Sequence, residues 1–119
     1  MLRALARTIV AAFVTAALFA CGSDGITAPP AAGTVVATTD LQYTPQSITL
    51  ARSGGSATVT FIFQSVNHTV DWDTQPSGAT AQDIESTSGT SVLRQLTVAG
   101  SYTYHCEIHP SMNGTIVIE

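Results

Sequence analysis

The chain has 119 residues, of which 10% are charged, and it contains no lysine. Beyond residue 20 only Arg52 and Arg94 are basic, so two positive against eight negative side chains give that part a net charge of −6. A nucleic-acid binder needs clustered cations to meet phosphates, so nucleic acid is not an expected partner; the acidity can steer a basic partner, and its simpler consequence is a soluble, self-repelling surface.

The first segment, residues 1–20, is an address. Arg3 and Arg7 precede an apolar run from Ile9 to Ala20, the length of a signal-peptide core and too short to span a bilayer. It ends Leu18-Phe19-Ala20-Cys21, which resembles the lipobox of bacterial lipoproteins, with Phe19 bulkier than the usual residue there. The resemblance implies that Cys21 is lipidated and becomes the first residue after cleavage. The alternative is an ordinary secretory signal cleaved nearby, with Cys21 free or disulfide-bonded. Residues 21–33 then form a flexible tether rich in Gly, Ala and Pro, with too few bulky apolar residues to fold. Several acyl chains on Cys21 would hold the protein at a membrane where one would not. The expected location is therefore the cell envelope, with the protein exported, lipid-anchored and facing the periplasm or the exterior. Gly22 after the cysteine would permit sorting to an outer membrane.

The chain has two cysteines. With Cys21 committed to lipid, Cys106 is left alone in an oxidising compartment, where a metal is the obvious occupant for a lone thiol.

Residues 34–119 are expected to form one domain with a single core. Apolar residues recur there with a period of two. Ala57, Val59, Phe61 and Phe63 share one face of a strand, with Thr58, Thr60 and Gln64 on the other. Ile48 and Leu50, then Ile116 and Ile118, repeat the pattern. Turn signals fall at Ser53-Gly54-Gly55, Pro76-Ser77-Gly78, Ser88-Gly89 and Ala99-Gly100. Short strands so punctuated predict an all-β sandwich or barrel. Residues 74–88 read as loop with one short strand at most. A strand over residues 91–98 has Arg94 in phase with Val92, Leu96 and Val98, which leaves its register open.

Chemistry concentrates near the end. Tyr102, Tyr104 and Cys106 share parity, so the thiol emerges from the inward face at a strand end. His109 and Met112 follow at three-residue steps, and Gly114 closes the loop. Of the other two histidines, His68 is in phase with Val70 and Trp72 and is the better fourth donor. His105 has the opposite parity to Cys106 and should face solvent or pair across strands. Two imidazoles, a thiolate and a weak axial thioether make the trigonal site that favours one copper ion cycling between Cu(I) and Cu(II). Zinc is the alternative metal, but methionine is a poor zinc ligand. Trp72, Phe61 and Phe63 are assigned to the core, and Tyr102 to a tyrosine corner.

The stretch from Tyr104 to Gly114 resembles the copper loop of cupredoxins, and its Cys-x-x-His-x-x-Met spacing is that of amicyanin. Asn67-His68-Thr69-Val70 resembles the setting of the family's first histidine ligand, and Tyr43-x-Pro45 its Phe-x-Pro. The likeness spans residues 34–119. It implies a Greek-key β-sandwich of seven to eight strands with copper at one end, and His109 as the exposed ligand past which electrons pass. Many members carry Asn after the first histidine; here Thr69 stands in that place, and its hydroxyl is a candidate for the same brace. The leading expectation is a monomeric one-electron carrier, not an enzyme, that meets a redox partner protein. Envelope copper storage or delivery, with a copper donor or acceptor as partner, uses the same residues. A metal-free interaction module displayed on lipid is the remaining alternative.

Overall fold

A computed structural model describes residues 33–119. The lipidation signal, Cys21 and residues 21–32 of the tether lie outside the described residues. Nine strands follow in order: β1 Thr34–Ala37, β2 Tyr43–Thr44, β3 Ser47–Leu50, β4 Ala57–Phe63, β5 His68–Thr74, β6 Ile84–Thr87, β7 Ser91–Leu96, β8 Gly100–His105 and β9 Asn113–Ile118. The described residues form no helix. One sheet has the order β2-β1-β4-β7 and the other β3-β9-β8-β5-β6, so the chain crosses between sheets after β2, β3, β4, β6 and β7. The count reaches nine because the two-residue β2 pairs with β1 (Val36 opposite Thr44). Only β1 with β4 and β3 with β9 run parallel.

The period-two pattern decides what each sheet buries. Val59 and Phe61 on β4 are fully buried with Phe63 beside them, while Thr58 and Ile62 on the opposite face are exposed. Tyr102 and Tyr104 on β8, Ile116 and Ile118 on β9 and Val35 on β1 complete the shared core. Full burial of one such aliphatic side chain is worth about 1.5–3 kcal/mol. Trp72 sits at the core margin, half-buried, with its ring 5.4 Å from that of Tyr104.

Three uncertain segments resolve physically. Strand β7 ends at Leu96, two residues short of Val98. Arg94 does lie on its inward side, but β7 is an edge strand, so the guanidinium reaches past the core to the carbonyls of Gln82 (2.8 Å) and Asp83 (2.7 Å). Within residues 74–88 the one short strand is β6, pairing with β5. At Tyr102 the corner forms, its hydroxyl donating to the Val98 carbonyl at 2.8 Å.

The sheet order positions the site. Antiparallel β5 and β8 are neighbours, with Asp71 opposite His105. The start of β5 therefore meets the end of β8, bringing His68 beside Cys106. The segment joining β8 to β9 lies at the same end.

Candidate metal centre

His68, Cys106 and His109 converge at that end. His68 Nδ1 is 3.2 Å from His109 Nδ1, and Cys106 Sγ is 3.9 Å from the first and 3.7 Å from the second. His68 and Cys106 are fully buried, whereas His109 is half-exposed. Met112 is buried at the other end of the same loop. It borders a cavity of about 190 Å³ that Leu41, Tyr43 and Gln46 also line.

Each donor is held by its surroundings. His68 Nε2 lies 2.9 Å from the Thr38 carbonyl oxygen, which can only accept. Nε2 thus carries the ring proton, leaving the lone pair on Nδ1 facing Cys106 and His109. Burial pulls the His68 pKa below the usual imidazole value, the Thr38 carbonyl opposes that, and nearby His109 adds to it. The favoured neutral ring is the form that binds metals. The Thr69 amide donates to Cys106 Sγ at 3.4 Å. The loop closes on itself: the Cys106 amide donates to the Met112 carbonyl at 2.9 Å, and the Met112 amide to that of His109 at 2.8 Å.

Comparison with known proteins decides the family. The sequence pattern of the copper binding proteins of the plastocyanin/azurin family matches residues 31–119. The chain belongs to that family. Solved cupredoxin structures agree. A reduced Cu(I) form at pH 4 of a single-site mutant of amicyanin is 27% identical with a TM-score of 0.58, over 76% of this chain and 84% of that one. The oxidized state of another amicyanin mutant is also 27% identical with a TM-score of 0.58, over 74% of this chain and 82% of the other. A mutant fern plastocyanin, at 23% identity and a TM-score of 0.60, covers 72% of this chain and 99% of its own and shares the fold. No curated protein matches the chain closely enough to count.

The donor set fits the cofactor of a cupredoxin, a single copper ion. A metal about 2.0 Å from two nitrogens and about 2.3 Å from a sulfur, with roughly 120° between bonds, sets its donors about 3.5 and 3.7 Å apart. The observed separations of 3.2, 3.7 and 3.9 Å match without any rearrangement of the fold. The thiol and imidazoles suit copper. Among the described residues no other group of three His, Cys, Asp or Glu side chains gathers closely enough to hold a metal.

Thr69 braces the two ligand segments: its hydroxyl accepts from the Glu107 amide at 2.8 Å. The same hydroxyl donates to Asp71. His105 faces away from the donors and lies 2.7 Å from Asp73, a half-exposed pair. Sequence reasoning missed three contributors. The Thr38 carbonyl has no side-chain signature. Tyr43 donates its hydroxyl to the Thr69 carbonyl, and only its Tyr-x-Pro setting marked it. Asp71 looks like an ordinary strand carboxylate.

Proposed function

We propose that this protein is a one-electron carrier whose copper would be held by Nδ1 of His68, Nδ1 of His109 and Sγ of Cys106, with Met112 supplying a thioether. The observation that carries the reading is the convergence of three donors whose positions are fixed by bonds to Thr38, Thr69 and the closed Cys106–Met112 loop. Copper supplies the exchange of one electron between Cu(I) and Cu(II). The protein's share is to keep the donors still, and two of the three are fully buried. That burial supports a resident ion over one handed on to an acceptor. Amicyanin, 27% identical, has been solved in both reduced and oxidized states, which supports the same cycle here. His109, half-exposed, is the edge at which a redox partner would dock.

We further infer that Cys21 carries lipid and that residues 21–33 tether the domain to the envelope, facing the periplasm or exterior. The motivation is the Leu18-Phe19-Ala20-Cys21 sequence. A Cys21→Ser chain is expected to appear in the soluble fraction, and continued membrane association would reject the anchor.

The deciding experiment is the absorption spectrum and voltammogram of residues 33–119 loaded with copper. An intense visible thiolate-to-copper band and reversible one-electron cycling are expected. A colourless protein that holds copper only as Cu(I), and yields it to a copper-free acceptor under competition, would replace carriage with delivery. Absence of copper uptake would leave an interaction module.

A further inference from the structure

We propose that Asp71 is a positioning residue for the Cys106 sulfur: by taking the hydrogen of the Thr69 hydroxyl, it holds the thiolate to a single hydrogen bond and so keeps the reduction potential down. The inference rests on Cys106 being the copper thiolate.

A threonine hydroxyl has one hydrogen and two lone pairs. Three partners surround Thr69 Oγ1. The Glu107 amide, at 2.8 Å, can only donate and so takes a lone pair. The single hydrogen then has two possible acceptors, the Asp71 carboxylate and Cys106 Sγ. The sulfur is 3.9 Å away, at the outer limit for such a bond. The carboxylate is far closer and charged, and charge-assisted bonds to oxygen are about twice as strong as neutral ones. Asp71 wins the hydrogen. The sulfur keeps one donor, the Thr69 amide at 3.4 Å.

The arrangement follows from register. Thr69 and Asp71 are two apart on β5 and point the same way. The pairing of Asp71 with His105, continued two residues, sets Thr69 opposite Glu107. The end of β8 thus closes over Thr69, which is buried, and leaves Asp71 half-buried beside it.

Hydrogen bonds to the cysteine sulfur tune the potential of a blue-copper site, and partners outside the ligand set commonly do so. With the Asp71 acceptor removed, the Thr69 hydroxyl is free to turn its hydrogen to the sulfur. A second donor stabilises the thiolate. The potential rises, and the thiolate-to-copper band moves to higher energy. Loss of the carboxylate's charge also raises the potential, because a nearby negative charge favours the more positive oxidised site. The two effects are separable, since asparagine keeps an accepting oxygen without the charge.

The test compares copper-loaded wild type, Asp71→Asn and Asp71→Ala, each also with Thr69→Val. Potentials should rise in the order wild type, Asp71→Asn, Asp71→Ala, with the band shifted only in Asp71→Ala. In the Thr69→Val background the two Asp71 variants should coincide, which isolates the coupling. Thr69→Ser should restore the separation. In the copper-free protein, Thr69→Val should speed hydrogen exchange at the Glu107 amide and Asp71→Ala should not, a readout independent of metal. Equal band energies and potentials for Asp71→Asn and Asp71→Ala beside an intact Thr69 would overturn the proposal. A wild type with no intense band fails earlier, at copper ligation by Cys106 itself.

Discussion

Two irregular segments of similar length flank β5 and β8, and they are held in opposite ways. The ligand loop from Cys106 to Met112 is closed by its own backbone, through the Cys106 amide to Met112 and the Met112 amide to His109. The connection over residues 75–83 has one backbone turn, from the Ala79 amide to the Pro76 carbonyl at 2.9 Å, and is otherwise closed by side chains. Gln75 bonds Ala81 in both directions, at 2.8 and 3.0 Å, and Trp72 and Arg94 both donate to the Gln82 carbonyl. A loop braced by backbone leaves its side chains free to meet a ligand. A loop braced by side chains has used them. The contrast explains why equally irregular stretches differ in what they can bind.

The sharpest way to break the contrast is to take a side chain from each loop and ask what is lost. Cys106→Ala should abolish the intense visible band and weaken copper binding by more than the roughly 10–100-fold that follows loss of a residue outside the ligand set. Copper titration with absorption detection checks both. The copper-free fold should survive, because the thiol's removal leaves only a small buried gap. Next in size is Gly114→Ala. Gly114 pairs with Tyr104 across β8 and β9, and an added Cβ would strike the Tyr104 ring, with its Cε2 only 2.8 Å away. Overpacking of this kind costs typically 1–3 kcal/mol and occasionally more, and here the upper end is expected because the ring is locked against Tyr43, Phe61 and Trp72. Urea unfolding of the copper-free protein measures it. An unchanged midpoint would mean that Tyr104 moves aside.

Both loops were visible in the sequence, but only one disclosed its purpose. Cys106, His109 and Met112 are close in the chain, so their spacing alone places them together. His68 was reached by parity on β5 and by the lack of a rival histidine. The core was legible because each strand buries alternate residues, as Val59, Phe61 and Phe63 show. What stayed hidden depends on register between distant segments. Asp71 matters only because β5 pairs with β8 where it does. Thr38 contributes a carbonyl that any residue could supply. Strand β2 is two residues long, too short for any periodicity. Arg94 broke the pattern of β7 because the sequence could not reveal that β7 is an edge.

Gln75→Ala tests the other side of the contrast. It removes both bonds to Ala81 in a half-buried setting, and at about 0.5–1.5 kcal/mol per bond the loss should be about 1–3 kcal/mol. The visible band and potential should not move, because nothing in that loop touches the donors. A band shift would show that the two loops are coupled through Trp72 and Tyr104.

The finest comparison lies within β8, where two buried tyrosines sit two residues apart with opposite polar bookkeeping. The Tyr102 hydroxyl donates to Val98; that of Tyr104 has no hydrogen-bond partner among the described residues. Tyr102→Phe should cost about 1 kcal/mol. Tyr104→Phe should cost nothing or stabilise slightly, because it removes a buried polar atom that no protein group satisfies. Alkali gives a second readout for Tyr104. Burial raises the Tyr104 phenol above its usual ionisation, and burial followed by the nearby Cys106 raises that of Tyr43. A folded pKa above the unfolded value of about 10 means the contribution is complete below pH ~10 and is lost as pH climbs toward the folded value. Each such tyrosine adds a slope of about 1.4 kcal/mol per pH unit above that point. Tyr104→Phe should therefore remove one such slope while leaving stability at neutral pH almost unchanged. Urea midpoints of the copper-free protein from pH 8 to about 11 resolve the difference, and an undiminished slope would place the alkaline sensitivity elsewhere, with Tyr43 the first to replace.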